Sequence, residues 1–119
     1  MYDYKIDKVI KVVDGDTVDV RIDMGFSVKL EQRVRLYGIN APESRTRDKE
    51  EKKRGLAAKA RIKELLKGGD LRVETRLDKR GKYGRVLGTF FVRTEGGEVD
   101  VNKSLVDEGH ATEYFGGKR

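Results

Sequence analysis

Alternation of apolar and polar residues predicts five β-strands along this chain. The clearest case is residues 17–23, where Val18, Val20 and Ile22 share one face and charged residues occupy the other. The other predicted strands cover residues 5–13, 30–39, 71–77 and 86–93. We therefore expect a mainly β protein in which each strand buries one face.

Two segments carry a helical pattern instead. Within residues 55–66, apolar residues recur at helical spacing, with charged residues between them. These apolar positions are Ala58, Ile62 and either Leu65 or Leu66. A second, short helix is predicted after Asp100, a favourable N-cap residue, and ends at Gly109. Residues 45–54 are almost wholly charged and are interpreted as a solvated loop.

The order of these elements predicts the fold. Three strands, a helix, two strands and a short helix follow one another, which is the order of a five-stranded OB-fold barrel with a helix between strands 3 and 4. Asp14-Gly15 predicts a hairpin turn between the first two strands, because both residue types tolerate positive φ. We expect an α+β, mainly β protein in which residues 1–119 form one domain.

Composition narrows the possible partners. The 27 lysines and arginines outnumber the 21 acidic residues, for a net charge of +6, which favours polyanions such as nucleic acid. With no cysteine, a disulfide framework and a thiolate metal site are excluded. The first residues show no apolar signal-peptide core, and no apolar run is long enough to span a membrane. We expect an intracellular, soluble protein, or a secreted one if a leader was removed.

Three polar segments, each next to a predicted strand, are candidates for a site at the barrel rim. They are Asp14-Gly15-Asp16, the stretch from Arg35 to Asn40-Ala41-Pro42-Glu43, and Lys82-Tyr83-Gly84-Arg85. Each segment alone is most simply a turn, a loop or a solvated strand face. The three together, in this order, are far less common.

With these three segments, the chain resembles the staphylococcal nuclease (thermonuclease) family from about Val9 to Gly109. The stretch Val101-Asn102-Lys103-Ser104-Leu105-Val106 also resembles the helix that follows the fifth strand in that family. The resemblance implies an OB-fold barrel and calcium-dependent hydrolysis of phosphodiester bonds in DNA and RNA, with little sequence specificity.

The resemblance also implies three sets of site residues. The metal set comprises Asp16, Asn40 and the backbone carbonyl of Ala41. The catalytic set comprises Arg35, Arg85 and Glu43. The substrate-binding set comprises Lys82, Tyr83 and, in a looser alignment, Tyr114. Within the catalytic set, the arginines are implied to hold the scissile phosphate and Glu43 to activate the attacking water.

These residue types suit the implied chemistry. Calcium takes oxygen ligands from carboxylates, amides and backbone carbonyls. The planar guanidinium of arginine can pair with two phosphate oxygens at once. Asn40 departs from the family, which has a carboxylate at this place. We therefore expect weaker calcium binding, and magnesium or manganese stays possible.

Other functions stay open on the sequence. A catalytically weak or inactive OB-fold module would bind nucleic acid through the same basic groove, and a barrel can also serve as a protein-interaction domain. The presence of Arg35 and Glu43 together with Arg85 favours the nuclease, because a binding module has no use for a glutamate facing the phosphate. We expect a monomer that binds DNA, RNA or both and no membrane. His110, the single histidine, is assigned no role.

Overall fold

The elements of the fold are taken from a computed structural model, which describes residues 2–77 and 86–114. Within them, the strands are β1 Tyr2–Asp14, β2 Thr17–Asp23, β3 Lys29–Leu36, β4 Ile39–Asn40, β5 Asp70–Leu77, β6 Val86–Thr94, β7 Gly97–Asp100 and β8 Thr112–Glu113. The helices are α1 Lys49–Leu66 and α2 Val101–Asp107.

Five of the strands close into a barrel. They lie in the order β3-β2-β1-β5-β6 with antiparallel neighbours, and a parallel pairing of β3 with β6 closes the sheet through Val34 opposite Val86. The helix α1 lies between the third and fourth barrel strands in sequence. The predicted α+β, OB-type barrel is therefore confirmed. The short strands β4, β7 and β8 were not predicted; β7 extends the sheet beyond β6, and β4 pairs with β8.

The alternation that predicted the strands also builds the core. Val18, Val20 and Ile22 of β2 are buried, and the polar residues between them are partly exposed. Both helices add apolar residues to the same core. The buried residues that they contribute are Ala58, Ile62 and Leu66 from α1 and Val101 and Leu105 from α2.

The first helix begins earlier than the sequence pattern predicted. Asp48 caps it, because its side chain accepts hydrogen bonds from the backbone N–H groups of Glu50 and Glu51. The interpretation of residues 49–54 as a loop was therefore wrong. Lysine, arginine and glutamate favour helices intrinsically, and here they form a solvated helical surface that has little apolar periodicity to reveal it.

The turn between β1 and β2 is present, but for a different reason from the one predicted. Asp14 pairs with Thr17 across the turn, yet Gly15 does not adopt positive φ. A Cβ atom on Gly15 would lie 2.7 Å from the Cβ of Ala58 in α1. Glycine is needed here so that the turn can approach the helix closely.

Neither α1 nor α2 combines the length and the apolar character needed to span a membrane.

Candidate functional site

The site lies where the β1–β2 turn meets the end of β3. Thr17 is paired with Arg35 across the two strands, and the backbone N–H of Leu36 donates to the carbonyl of Asp16 at 2.8 Å. These ladder contacts hold Asp16 and Arg35 side by side at the rim of the barrel. The chain then turns at Gly38, with φ of 79°, to bring β4 to the same place.

Asp16, Arg35 and Asn40 form a compact polar cluster. The Nη2 of Arg35 donates to the Oδ1 of Asn40 at 3.3 Å and lies 3.8 Å from the Oδ2 of Asp16. The side chains of Arg35 and Asp16 are only 14% and 13% exposed. Charges in such a partly dry place interact more strongly than they do in bulk water.

Ala41 contacts the same carboxylate. Its backbone N–H donates to the Oδ2 of Asp16 at 3.0 Å, and the hydroxyl of Thr17 donates to Oδ1 at 3.1 Å. Both oxygens of Asp16 are thus oriented by hydrogen bonds. The structure brings together the three residues of the predicted metal set and one predicted phosphate-binding arginine, with Ala41 in contact through its N–H.

The ligand atoms that the residues of this set offer are of the type that a hard cation binds. A carboxylate, an amide oxygen and a backbone carbonyl are oxygen ligands of the kind that calcium, magnesium and manganese accept. The set carries one carboxylate, and the described residues contain no group of three or more acidic, histidine or cysteine side chains able to hold a metal. The metal-binding roles of Asp16, Asn40 and Ala41 stay predictions.

Glu43 is exposed, but its backbone is held firmly. The N–H of Glu43 donates to the Oε2 of Glu51 at 3.1 Å. The next residue, Ser44, is buried, and both its N–H (3.3 Å) and its hydroxyl donate to the Oδ1 of Asp14. The anchored backbone fixes where the Glu43 side chain leaves the rim, and that side chain stays exposed.

Gly55 completes the support of Glu43. A Cβ atom on Gly55 would lie 2.3 Å from the carbonyl oxygen of Glu43 and 2.7 Å from the nitrogen of Ser44. The helix α1 therefore packs directly against the backbone of this segment. The supporting roles of Asp14, Ser44, Glu51 and Gly55 were not predicted from the sequence. A glycine inside a charged helical segment, where it weakens the helix, was the signal that could have pointed to Gly55.

Tyr114 also reaches the site. The strand β8 pairs with β4 through Ile39 and Glu113, and the N–H of Tyr114 donates to the carbonyl of Gly38 at 2.8 Å. The Cζ atom of Arg35 lies 5.8 Å from the centre of the Tyr114 ring, within the range of a cation–π contact. The structure thus places Tyr114, a predicted substrate-binding residue, beside Arg35, the arginine predicted to bind the phosphate.

A buried asparagine fixes the strand end behind Arg35. The side chain of Asn102 donates to the carbonyls of Tyr37 at 2.9 Å and Gly88 at 3.0 Å, and accepts from the N–H of Phe90 at 3.2 Å. These three bonds tie α2 to β6 and to the segment that follows Arg35. Sequence analysis assigned Asn102 no such role; a polar residue between the apolar Val101 and Leu105 was the available signal.

Three predicted residues lie outside the described part of the chain. They are Lys82, Tyr83 and Arg85, and their roles stay predictions.

The closed five-stranded barrel with two helices places this protein in the OB-fold class of α+β proteins. The chain belongs to the staphylococcal nuclease family, because the family model for staphylococcal nuclease homologues matches residues 33–119. Membership in this family supports a nuclease-like or nucleic-acid-binding role.

Two curated proteins are similar to most of this chain. The Escherichia coli protein ParB is 33% identical over 114 residues, which cover 90% of this chain and 56% of ParB. An uncharacterised protein of Methanocaldococcus jannaschii is 29% identical over 126 aligned residues, covering 91% of this chain and 58% of that protein. The chain thus spans a little over half the length of either relative.

Proposed function

We propose that this protein is a metal-dependent nuclease that hydrolyses phosphodiester bonds in DNA, RNA or both with little sequence specificity. The observation that carries the proposal is the convergence of Asp16, Arg35 and Asn40 in one partly buried cluster. A glutamate on an anchored backbone lies a few residues further along the same rim segment.

Arg35 is proposed to bind the scissile phosphate. Negative charge builds up on the phosphate oxygens during attack, and a guanidinium can donate to two of them at once. In a site that excludes most water, one such donor lowers the barrier by about 3 kcal/mol. Arg85 is proposed as the second donor from the resemblance to the family alone.

Glu43 is proposed to accept a proton from the attacking water. A carboxylate placed for general base catalysis contributes roughly 10²- to 10⁴-fold to the rate. The hydrogen bonds from Glu43 to Glu51 and from Ser44 to Asp14 hold the backbone on both sides of this carboxylate.

A divalent cation is proposed to bind at the oxygens of Asp16, Asn40 and Ala41. Calcium is the ion that the family implies, and the single carboxylate leaves magnesium or manganese as alternatives. When bound, the ion would polarise water and offset negative charge on the phosphate.

The test is cleavage of denatured DNA and of RNA with calcium, with magnesium, with manganese and with chelator. We expect cutting that requires a metal ion and that Glu43→Gln lowers at least about 100-fold, the lower range for a general base. Glu95→Gln makes the same chemical change on an exposed turn away from the rim and should cut like the wild type.

One alternative function has an observation in its favour. Asn40 leaves the site with a single carboxylate, which favours a barrel that binds nucleic acid without cutting it. Salt-sensitive binding with no cleavage under any of these ions would establish that alternative and overturn the nuclease proposal.

A further inference from the structure

An open groove lies beside the polar cluster, on the side of Glu43. It has a volume of about 480 Å³ and runs between the first turns of α1 and the segment that follows α2. One wall is the segment from Asn40 to Glu43, and the others carry Glu51, Arg54 and His110. A volume of this size is in the usual range for sites that hold a small organic ligand or one unit of a polymer.

Arg54 brings a positive charge into the lining of this groove. Among the described residues, the side chain of Arg54 has no hydrogen bond or ion pair, and neither do the side chains of its basic neighbours in segment 45–54. The arginines on the barrel wall are engaged by carboxylates: Arg21 by Glu31, Arg33 by Asp19 and Arg72 by Glu98. Among the described residues that line the groove, Arg54 is thus the one lysine or arginine, and its guanidinium is available to an anion.

The two acidic residues that line the groove, Glu43 and Glu51, differ in how far they can offset the positive charge of Arg54. Glu51 accepts a hydrogen bond from the backbone N–H of Glu43, so its carboxylate is already directed toward that segment. Glu43 is already assigned to the attacking water in the proposed function. Arg54 is therefore the group in the groove best able to bind a second phosphate.

His110 forms part of the opposite wall and is set by its backbone. Gly109, with φ of 80°, ends α2, and the N–H of His110 donates to the carbonyl of Leu105 at 2.9 Å. The imidazole is half-buried. A flat ring in this place can stack on an unpaired base or donate an N–H to a sugar or phosphate oxygen.

We propose that this groove is a subsite for the nucleotide adjacent to the scissile phosphate, with Arg54 pairing with that nucleotide's outer phosphate and His110 contacting its base or sugar. The proposal rests on the proposed function, because Arg35 marks where the scissile phosphate lies. Such a subsite makes single-stranded polynucleotide a better substrate than the shortest fragments. A dinucleoside monophosphate holds only the scissile phosphate and leaves Arg54 without a partner.

The first test measures binding without cleavage. Fluorescence anisotropy of a labelled single strand of about twelve nucleotides, in chelator, would be compared for wild type, Arg54→Gln and His110→Ala across about 25 to 200 mM salt. We expect Arg54→Gln to weaken binding about five- to tenfold at low salt and to reduce the salt slope by about 0.7, the loss of one phosphate contact. His110→Ala should weaken binding with an unchanged salt slope.

The matched control is Lys63→Gln. Lys63 lies nine residues further along α1, about two and a half turns, and is therefore on the opposite face of the helix. The Lys63→Gln substitution removes one positive charge from the same helix and should weaken binding much less than Arg54→Gln does. If Arg54→Gln binds no worse than Lys63→Gln, the subsite is overturned, whether or not the protein cuts nucleic acid.

The second test uses cleavage and separates the two proposals. With the cutting ion present, Arg54→Gln should lose about five- to tenfold in kcat/KM on the twelve-nucleotide strand, the same factor as in binding, and little on a dinucleoside monophosphate. An equal loss on both substrates would contradict the subsite. Absence of any cutting by the wild type, with the anisotropy difference intact, would overturn the nuclease proposal and leave a nucleic-acid subsite in place.

Discussion

At the scale of single residues, Asn40 is the position on which the proposed cation site depends most. Its amide oxygen offers a ligand atom of the right kind, but it adds no negative charge to the carboxylate of Asp16. The same oxygen accepts a hydrogen bond from Arg35 at 3.3 Å. The positive guanidinium of Arg35, this close, opposes the binding of a metal cation. The negative charge that a carboxylate at position 40 would supply therefore matters more here than it would on an open surface.

Asn40→Asp should therefore tighten calcium binding. We expect the dissociation constant to fall on the order of tenfold, because ligand charge is a main determinant of calcium affinity. Calorimetric titration with calcium measures this without any activity assay. Gln32→Glu adds the same charge on β3, away from the rim, and should change the affinity little. Equal affinity in wild type and Asn40→Asp would mean that this side chain is not a ligand.

At the scale of elements, α1 both closes the core and holds the site. Its apolar face packs into the barrel through Ala58, Ile62 and Leu66. Its first turns support the Glu43 segment through Glu51 and through the close approach at Gly55. A helix that enters both the core and the rim makes the position of Glu43 depend on packing far from it.

Gly55→Ala tests this dependence. In an isolated helix the change would stabilise by about 1 kcal/mol. Here the added methyl group meets the Glu43 carbonyl, and we expect a net loss of about 1 to 3 kcal/mol in the free energy of unfolding, as for other overpacked sites. Urea unfolding measures the loss, and the cleavage rate of the folded variant should fall because Glu43 shifts.

Gly96→Ala is the control for Gly55→Ala. Its added Cβ would approach no closer than 3.9 Å to the Oγ1 of Thr94, so the barrel accommodates it. A Gly55→Ala variant as stable as Gly96→Ala would show that α1 does not press on the Glu43 backbone.

At the scale of the whole molecule, ion pairs connect elements that are distant in sequence. Arg72 on β5 binds Glu98 on β7 at 2.6 Å and Asp3 on β1 at 3.0 Å, with its guanidinium 4.0 Å from the ring centre of Phe91. Arg61 on α1 binds Glu108 after α2 at 2.6 Å. In two of these pairs, the carboxylates of Glu98 and Glu108 titrate differently in the folded and unfolded chain.

Stability should therefore fall in acid. The hydrogen bond from Arg72 holds the pKa of Glu98 below its ordinary value, and those from Arg61 and Arg33 do the same for Glu108 and Asp19. Because these folded pKa values are lowered, the stabilisation is present above the unfolded values of about 4 and is lost as the pH falls through the folded ones.

Thermal unfolding from pH 7 to pH 2.5 measures this effect. We expect a nearly constant melting temperature down to about pH 5, followed by a decline that high salt makes shallower. Arg72→Met keeps the apolar stem of the side chain and should flatten part of the decline. An identical acid profile for Arg72→Met and wild type would show that these pairs do not link stability to pH.

Some features of this protein follow from local sequence alone. The alternation in β2 and the helical spacing of Ala58 and Ile62 identify the elements, because a buried face must repeat with the period of its own backbone. The order of those elements was enough to predict the barrel. The motifs were enough to point to Asp16, Arg35, Asn40 and Ala41 as one site.

Other features exist only in the folded chain. The start of α1 was missed because a charged run suits a loop or a solvated helix equally, and the cap at Asp48 distinguishes them only through backbone geometry. The pairing of β4 with β8 joins strands of two residues, too short to show any periodicity.

The sequence by itself determined the five barrel strands, the two helices, their order and the types of group at the rim, since these depend on neighbours along the chain. Only the tertiary structure decided how the site is supported and bounded. Asp14 holds Ser44 from 30 residues away, Gly55 is defined by its approach to Glu43, and Arg54 and His110 meet across one groove. Each of these depends on a distance between segments that the closing of the barrel sets.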